Sequence, residues 1–204
     1  MEIVWFKRDL RITDHAPLAE AAERGAVCPL YIIEQNMWSQ PDASRRHYDF
    51  LLESLTELDA ALTALGQALI IRIGDAVEVL ENLKAETGFT RLWSHQETGN
   101  GWTYARDLAV KEWAFANGVS WEERKQHGVM RGAHNRNKWS GNWHKEIYQP
   151  QVQPPRRLKS VSLASQSMPS AIDLGLGPDD CPGRQKGGRR EAKIGRAVSR
   201  NAET

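Results

Sequence analysis

The 204-residue sequence lacks several features that would assign it to a common class of protein. It has only two cysteines, Cys28 and Cys181, far apart in the chain, so neither a disulfide framework nor a cysteine zinc site is expected. It has no run of roughly 18 apolar residues, so it predicts no transmembrane helix. Its start carries the acidic Glu2 and no long apolar core, which argues against a secretory signal. These absences predict a cytoplasmic protein with no membrane partner.

The sequence also lacks a glycine-rich phosphate loop. Neither G-x-G-x-x-G nor G-x-x-x-x-G-K-[ST] occurs, so a nucleotide-like ligand would have to be held in another way. An excess of positive charge is missing as well, because the net charge is +1. Residues 1–150 are acidic on balance, and the basic excess lies in residues 151–204. Bulk charge therefore does not identify the first 150 residues as a nucleic-acid binder.

Apolar segments alternate with segments of helical periodicity. The apolar runs predict strands, and the amphipathic segments between them predict helices. Asp14 or Thr13 is the expected N-cap of the first helix and Asp75 that of a later one. The predicted strands are 2–6, 27–33, 68–73, 91–94 and 119–122, and the clearest predicted helices are 14–24, 44–65 and 100–117. This order predicts an α/β fold, a Rossmann-like doubly wound, mostly parallel five-stranded sheet with helices on both faces.

The pattern weakens after the last predicted strand. Residues 1–130 are expected to form the α/β domain. Residues 131–204 are expected to be a connector and a poorly ordered tail, because they are rich in Pro, Ser, Gly and Arg and lack a convincing amphipathic period. In parallel sheets, ligands bind at the carboxyl ends of the strands. The segments expected to converge there are 7–11, 34–37, 74–75, 95–100 and 126–128.

Several stretches carry a family resemblance. Val4-Trp5-Phe6-Lys7-Arg8-Asp9-Leu10-Arg11, followed by Asp14-His15-Ala16-Pro17-Leu18, resembles the opening of the DNA photolyase/cryptochrome family. Lys7 stands where that family usually has Arg, and His15 where it usually has Asn. The helix beginning at Ser44, the end of the third strand at Gly74-Asp75 and the segment from Ser94 to Asp107 are similar to the family too. Residues 173–176 and 182–192 resemble its connector into a second, helical domain.

The resemblance implies a function and a set of candidate site residues. In that family the α/β domain holds an antenna chromophore, which is a folate, a deazaflavin or a flavin. The candidate chromophore-binding residues carried over by motif are Lys7, Arg8, Asp9, Leu10, Arg11, Asp14, Ile33, Glu34, Gln35, Arg46, Gln96 and Glu97. Arg8 and Arg11 would supply donors and Glu97 an acceptor. Energy transfer needs no acid, base or nucleophile, so no catalytic residue and no metal is expected.

The full-length family repairs pyrimidine dimers in damaged DNA with light and FAD, as a carbon–carbon lyase, or acts in light signalling. Its FAD-binding helical domain is not recognisable here, since the sequence from Lys193 to Thr204 reads as unrelated. We therefore expect a truncated member that does not repair DNA alone. The alternatives are a nucleotide- or flavin-binding α/β module of another group, and a non-functional fragment that self-associates through its exposed groove.

Several residues also have purely structural interpretations. Arg8, Asp9 and Arg11 are expected to form an ion-pair turn more readily than to contact a ligand. His95 and Glu97 show no third metal ligand in the sequence. Tyr104, Arg106 and Asp107 are expected to be surface pairs on a helix. Trp102, Trp113 and Trp121 are expected to pack in the core or the groove, and Trp139 and Trp143 suggest either a connector or a nucleic-acid stacking surface.

Overall fold

The computed structural model describes residues 1–129 and 139–177. Five strands form one sheet in the order β3-β2-β1-β4-β5. All four strand pairings are parallel. The strands are β1 (Glu2–Phe6), β2 (Val27–Ile33), β3 (Ile70–Ile73), β4 (Arg91–His95) and β5 (Ser120–Arg124). The order reverses between β1 and β4, which is the place where open α/β sheets form a crevice. The predicted fold is confirmed.

Helices cover both faces of this sheet. They are α1 (Ala16–Arg24), the one-turn α2 (Gln35–Trp38), α3 (Arg45–Ala64), α4 (Ala76–Thr87), α5 (Gly101–Ala116) and α6 (Trp139–Ile147). Successive strand residues point to opposite faces, so Val4 and Phe6 join the core cluster under α1 and α3. Ile3 and Trp5 join the cluster under α4 and α5. Strand β2 carries no charged residue and is buried along its whole length, because both of its faces are covered.

The start of α1 differs from the prediction. Its N-cap is His15, whose Nδ1 accepts a hydrogen bond from the Leu18 N–H at 3.1 Å. Neither predicted cap, Thr13 or Asp14, occupies that position. Asp14 has a φ of +53°, and its carboxylate accepts from the Val152 N–H at 3.1 Å. An N-cap residue normally has an extended backbone, which directs its side-chain oxygen at the free N–H groups of the first turn. A residue with a positive φ does not direct its side chain there. The later cap is as predicted, since Asp75 accepts from Val77 and Glu78.

The segment after α6 runs in extended form along the domain. Leu158 donates its N–H to the Leu65 carbonyl, and Gln166 bonds the edge strand β3 through its backbone and its side chain. Farther on, Ala171 and Leu176 are buried against the α1/α3 cluster. Helix α6 was not predicted; it occupies residues that the sequence suggested as connector. The family-like segment 182–192, Cys181 and residues 130–138 lie outside the described residues.

Within the described ranges, no helix is both long enough and apolar enough to cross a membrane.

Candidate chromophore site

A groove of about 460 Å³ opens where β1 and β2 end. The loop after β1 contributes Lys7, Arg8 and Leu10 to its wall. Met37 and Trp38 of α2 and Phe50 of α3 form an apolar part of its wall, together with Tyr31 and Leu51. Phe50 is 57% exposed, which is unusual for such a large apolar side chain. A concave, largely apolar space with a few charged groups at one side is typical of small-molecule sites.

A smaller recess of about 30 Å³ adjoins the groove, and the two share Lys7, Arg8, Tyr31 and Met37 as wall residues. Glu34, Glu97 and Arg106 also line the recess. Its volume is close to that of a single water molecule. The recess therefore adds two acidic side chains and a buried arginine to the surroundings of the groove.

Arg106 is the centre of a buried charge network beside this recess. Its guanidinium lies 2.8 Å from Glu34 Oε2, 2.5 Å from Glu97 Oε2 and 2.9 Å from Asp107 Oδ1. Lys7 Nζ completes the network at 3.2 Å from Asp107 Oδ2. The expectation of surface pairs at Arg106 and Asp107 is wrong, because both side chains are buried. They lie on the inward face of α5 with Thr103, Val110 and Trp113.

Burial and charge act on this network in opposite directions. Burial raises the pKa of Glu34 to about 7 despite its contact with Arg106. Burial also lowers the pKa of Lys7, and the nearby Asp107 only partly offsets it. Burial alone would raise the pKa of Asp107, but the charges of Lys7 and Arg106 outweigh it and hold that pKa below its usual value. Among the shifted groups of this network, Glu34 is the one whose pKa lies near neutral pH.

Tryptophan rings support the two buried cations. Lys7 Nζ and the Arg106 guanidinium each lie 4.8 Å from the centroid of a Trp5 ring. Trp121 lies beside Lys7 and Trp102 beside Arg106, at 5.4 and 5.8 Å. The aromatic faces attract the cations without adding charge. These tryptophans thus pack at the site, as the sequence suggested, and Trp113 packs in the core.

A second buried cluster lies on the other side of β1, at the reversal of strand order. Asp9 Oδ2 lies 2.6 Å from His95 Nδ1 and 2.9 Å from His15 Nε2, while its Oδ1 accepts from the Lys7 N–H at 2.8 Å. Burial alone would raise the pKa of Asp9, but contacts with His15 and His95 hold it well below its usual value. Burial lowers the pKa of His15.

These three side chains have the types and spacing of a metal site, because one ligand atom from each lies within 4.8 Å of the others. Histidine coordinates metals through a nitrogen lone pair, and its second nitrogen then normally carries the proton. In His15 the second nitrogen, Nδ1, accepts the Leu18 N–H and so cannot carry one. The proton belongs on Nε2, which lies 2.9 Å from Asp9 Oδ2 but outside the angles of a hydrogen bond. The arrangement therefore favours a histidine–aspartate–histidine contact over metal coordination.

The structure distributes the sequence-predicted candidates among several environments. Lys7, Arg8 and Leu10 line the groove, and Glu34 and Glu97 line the recess. Asp9 and Gln96 line a neighbouring hollow beside His95, which shares Lys7 and Arg8 with the groove. The Arg11 guanidinium donates to the Thr13 and Asp14 carbonyls. Ile33 is buried in the core, and Gln35 and Arg46 are exposed on α2 and α3.

The expected ion-pair turn of Arg8, Asp9 and Arg11 does not form. Arg8 pairs with Glu97 at 2.9 Å, Asp9 contacts the two histidines, and Arg11 bonds backbone carbonyls. The sequence did not identify the apolar wall of Met37, Trp38 and Phe50 as part of the site. Phe50 follows the helical spacing of the buried leucines of α3, and periodicity does not distinguish a groove wall from a core.

The chain is similar in sequence and in fold to several known proteins. A (6-4)DNA photolyase from Arabidopsis thaliana is 28% identical over 93% of this chain and 36% of its own length. A bacterial class III photolyase from Agrobacterium tumefaciens has a similar fold, with a TM-score of 0.69 and 23% identity, over 88% of this chain and 39% of its own. An archaeal photolyase from Sulfolobus tokodaii has a TM-score of 0.63 and 21% identity over 86% of this chain and 41% of its own.

The archaeal structure holds two FAD molecules and implies a novel light-harvesting cofactor. All three relatives are much longer than this chain, which spans well under half of their length. Residues 2–150, most of the chain, match the family model described as DNA photolyase. The chain therefore belongs to the DNA photolyase family, of which it contains the N-terminal α/β domain.

Proposed function

We propose that this chain is a light-harvesting domain that binds an antenna chromophore, a folate, deazaflavin or flavin, in the groove at the ends of β1 and β2. The observation that carries the proposal is the groove itself, of about 460 Å³. That volume accommodates a fused planar ring system. The archaeal relative with its light-harvesting FAD supports the same type of ligand.

The groove offers apolar contacts to a ring and charge to a polar tail. Met37, Trp38 and Phe50 would pack against the ring faces. The Arg8 side chain is 61% exposed and could reach a phosphate or carboxylate tail. Antenna transfer needs only that the chromophore be held in a fixed position. Accordingly, none of these residues is assigned a chemical step.

Repair of DNA by this chain alone is not part of the proposal. The chain spans 36% of the length of the Arabidopsis photolyase, and the resemblance assigns FAD and DNA binding to the remainder. We expect the purified chain to leave a thymine dimer intact under blue light. Repair of the dimer would contradict that expectation.

The first test is the absorption and fluorescence spectrum of the purified protein before and after denaturation. About one equivalent of released folate, deazaflavin or flavin would support the proposal. If the protein is purified without a ligand, titrations with riboflavin, a folate and a deazaflavin, each followed by the fluorescence of the added compound, replace this measurement. No chromophore and no binding of any of the three ring types would overturn the proposal.

A pair of exposed phenylalanines gives a matched control. Phe50→Ala should weaken riboflavin binding by about tenfold, because one aromatic contact contributes roughly 0.5–1.5 kcal/mol beyond the buried area. Phe115→Ala makes the same change at a phenylalanine that is 90% exposed on α5 and lines no described cavity. Equal effects of the two substitutions would place the ligand elsewhere.

A further inference from the structure

Helix α6 presents aromatic side chains to solvent. None of its side chains is buried, whereas an ordinary surface helix buries an apolar stripe. Trp139 is 51% exposed, and Tyr148, which directly follows the helix, is 79% exposed. Aromatic rings of this size are usually largely buried. Their joint exposure therefore indicates a surface that binds a partner.

The rings of this helix form two nearly parallel pairs. The ring centroids of Trp139 and Trp143 lie 6.3 Å apart with 24° between the ring planes. Those of His144 and Tyr148 lie 5.7 Å apart with 8° between the planes. An edge contact between Trp143 and His144 joins the two pairs. The exposed face of each such ring is a platform on which a nucleobase can stack.

Two contacts hold α6 on the α/β domain. Trp143 packs so closely on Gly128 that a Cβ there would lie 2.4 Å from the indole ring. Three residues later, Glu146 Oε1 lies 2.6 Å from Lys125 Nζ. The exposed rings are therefore carried by a helix that is already in place. Binding a ligand then costs less conformational entropy than ordering a free segment would.

The chain around α6 is strongly basic, although the net charge of the whole sequence is only +1. Residues 124–159 contain nine Lys or Arg and one Asp or Glu, a net charge of +8. Residues 1–123 contain 11 and 20, a net charge of −9. The positive charge is thus concentrated on the same part of the chain as the exposed rings. Basic and aromatic side chains together are typical of surfaces that bind nucleic-acid strands.

The described residues place one of these cations on the helix itself. Lys145 is exposed on α6. The single acid of residues 124–159 is Glu146, and its pairing with Lys125 leaves the pair without net charge. Three further cations directly precede the helix in sequence and lie outside the described residues: Arg131, Arg136 and Lys138.

We propose that α6 is a binding surface for single-stranded nucleic acid, whose bases stack on His144 and Tyr148 and whose phosphates are attracted by Lys145. A single strand fits this surface better than a duplex, because its unpaired bases expose the faces that the rings contact. Stacking and phosphate attraction are common to DNA and RNA, so the sugar is not recognised. The binding requires neither light nor a damaged base.

This surface is separate from the chromophore site. No residue of α6 lines the groove or the recess, so the inference goes beyond the proposed function and does not depend on it. The chromophore titrations and the nucleic-acid titrations can therefore fail independently of each other.

The probe is a fluorescein-labelled oligothymidylate of about 16 nucleotides, whose anisotropy is measured in the dark as the protein is added. The protein should bind this strand more tightly than a duplex of the same length, because stacking requires unpaired bases. The affinity for the strand should fall severalfold between about 50 mM and about 200 mM salt, because phosphate contacts release counterions.

Two exposed tyrosines provide a matched pair of variants. Tyr148→Ala should weaken binding of the oligothymidylate about fivefold or more, which is the usual effect of removing one base–aromatic contact. Tyr148→Phe keeps the ring and should bind as the wild-type protein does. Tyr104→Ala makes the same change at a tyrosine that is 59% exposed on α5, and it should leave the affinity unchanged.

A second pair of variants tests the phosphate contact. Lys145→Gln should weaken binding and should also reduce its dependence on salt, by the contribution of about one phosphate. Lys111→Gln removes an exposed lysine from α5 and should change neither quantity. A loss of affinity without a change in salt dependence would overturn the role of Lys145.

Three other results would contradict the proposal. Absence of oligothymidylate binding at about 50 mM salt would exclude a nucleic-acid surface of ordinary strength. Equal effects of Tyr148→Ala and Tyr104→Ala, or equal affinity for strand and duplex, would overturn the stacking contact. Sedimentation of the protein alone tests another occupant: a dimer that Tyr148→Ala dissociates would assign α6 to a second copy of the chain.

Discussion

Oδ2 of Asp9 lies 2.6 Å from Nδ1 of His95, and this contact joins the end of β1 to the end of β4. The two strands pair only through residues 2–4 of β1, so their carboxyl ends would otherwise separate at the reversal of strand order. His15 approaches the same oxygen from α1. Asp9 therefore connects two strands and the first helix at the edge of the sheet that carries the groove.

Replacing Asp9 by Asn should destabilise the protein by about 2–4 kcal/mol, because a buried charge-assisted contact is lost and an amide N–H₂ meets a histidine donor. Urea denaturation followed by circular dichroism would measure the change. Asp42→Asn is the control, since that carboxylate is exposed and bonds only Asn100 in the described structure, and it should cost less than about 1 kcal/mol. Equal losses would mean that Asp9 has no special role.

The neutral state of His15 should make stability depend on pH. Burial lowers its pKa from the ordinary 6.5. Below pH 6.5, His15 of the unfolded chain therefore binds a proton more readily than His15 of the folded protein. A proton on Nδ1 would also oppose the Leu18 N–H and disrupt the cap. The stabilising effect of His15 is therefore present above pH 6.5 and is lost as the pH falls through its folded pKa.

His15→Asn isolates this effect, because asparagine also caps helices well. The stability advantage of the wild-type protein over the variant should decrease between pH 7.5 and pH 5. As the pH falls, the folded protein also gains stability over part of this range because Glu34, whose pKa is raised, takes up a proton. Glu34 is present in both proteins, so its contribution cancels in the comparison. An advantage independent of pH would contradict the assignment of a neutral His15.

Arg106→Met should destabilise the protein by roughly 3–5 kcal/mol, because Glu34, Glu97 and Asp107 would remain buried without their shared cation. Thermal and urea unfolding would measure the loss. Lys111→Met makes a similar change at an exposed position of the same helix and should cost less than about 0.5 kcal/mol. A small effect at Arg106 would mean that the three carboxylates are protonated or hydrated.

Gly128 should be required for the attachment of α6. A Cβ at Gly128 would lie 2.4 Å from a ring carbon of Trp143, so Gly128→Ala should displace the helix at a cost of about 1–3 kcal/mol. The rate of tryptic cleavage at Lys145 would report the loosening and should rise severalfold.

Gly141→Ala provides the opposite control. Nothing lies within 4 Å of a Cβ at Gly141, so alanine should stabilise α6 by about 0.5–1 kcal/mol and slow the cleavage. Equal cleavage of the two variants would show that Trp143 does not anchor the helix at Gly128.

The sequence by itself determined the sheet and most of its helices. The run from Val27 to Ile33 is β2 with the predicted limits, because a strand buried on both faces must be apolar throughout. The expected strand from residue 68 begins at Ile70. The convergence of loops at the carboxyl ends follows from parallel strand order, which alternation of strands and helices implies.

Only the tertiary structure decided which of those residues act together. Glu34 and Arg106 are 72 positions apart, and neither shows from its local pattern that it is buried beside the other. Arginines on helices are usually exposed. Arg106 is buried because Glu34 and Glu97, which follow two different strands, pair with its charge. In the same way, only the assembled structure leaves Glu34 Oε1 buried without a hydrogen-bond partner among the described residues, because hydrogen bonding depends on distances and angles that sequence spacing does not fix.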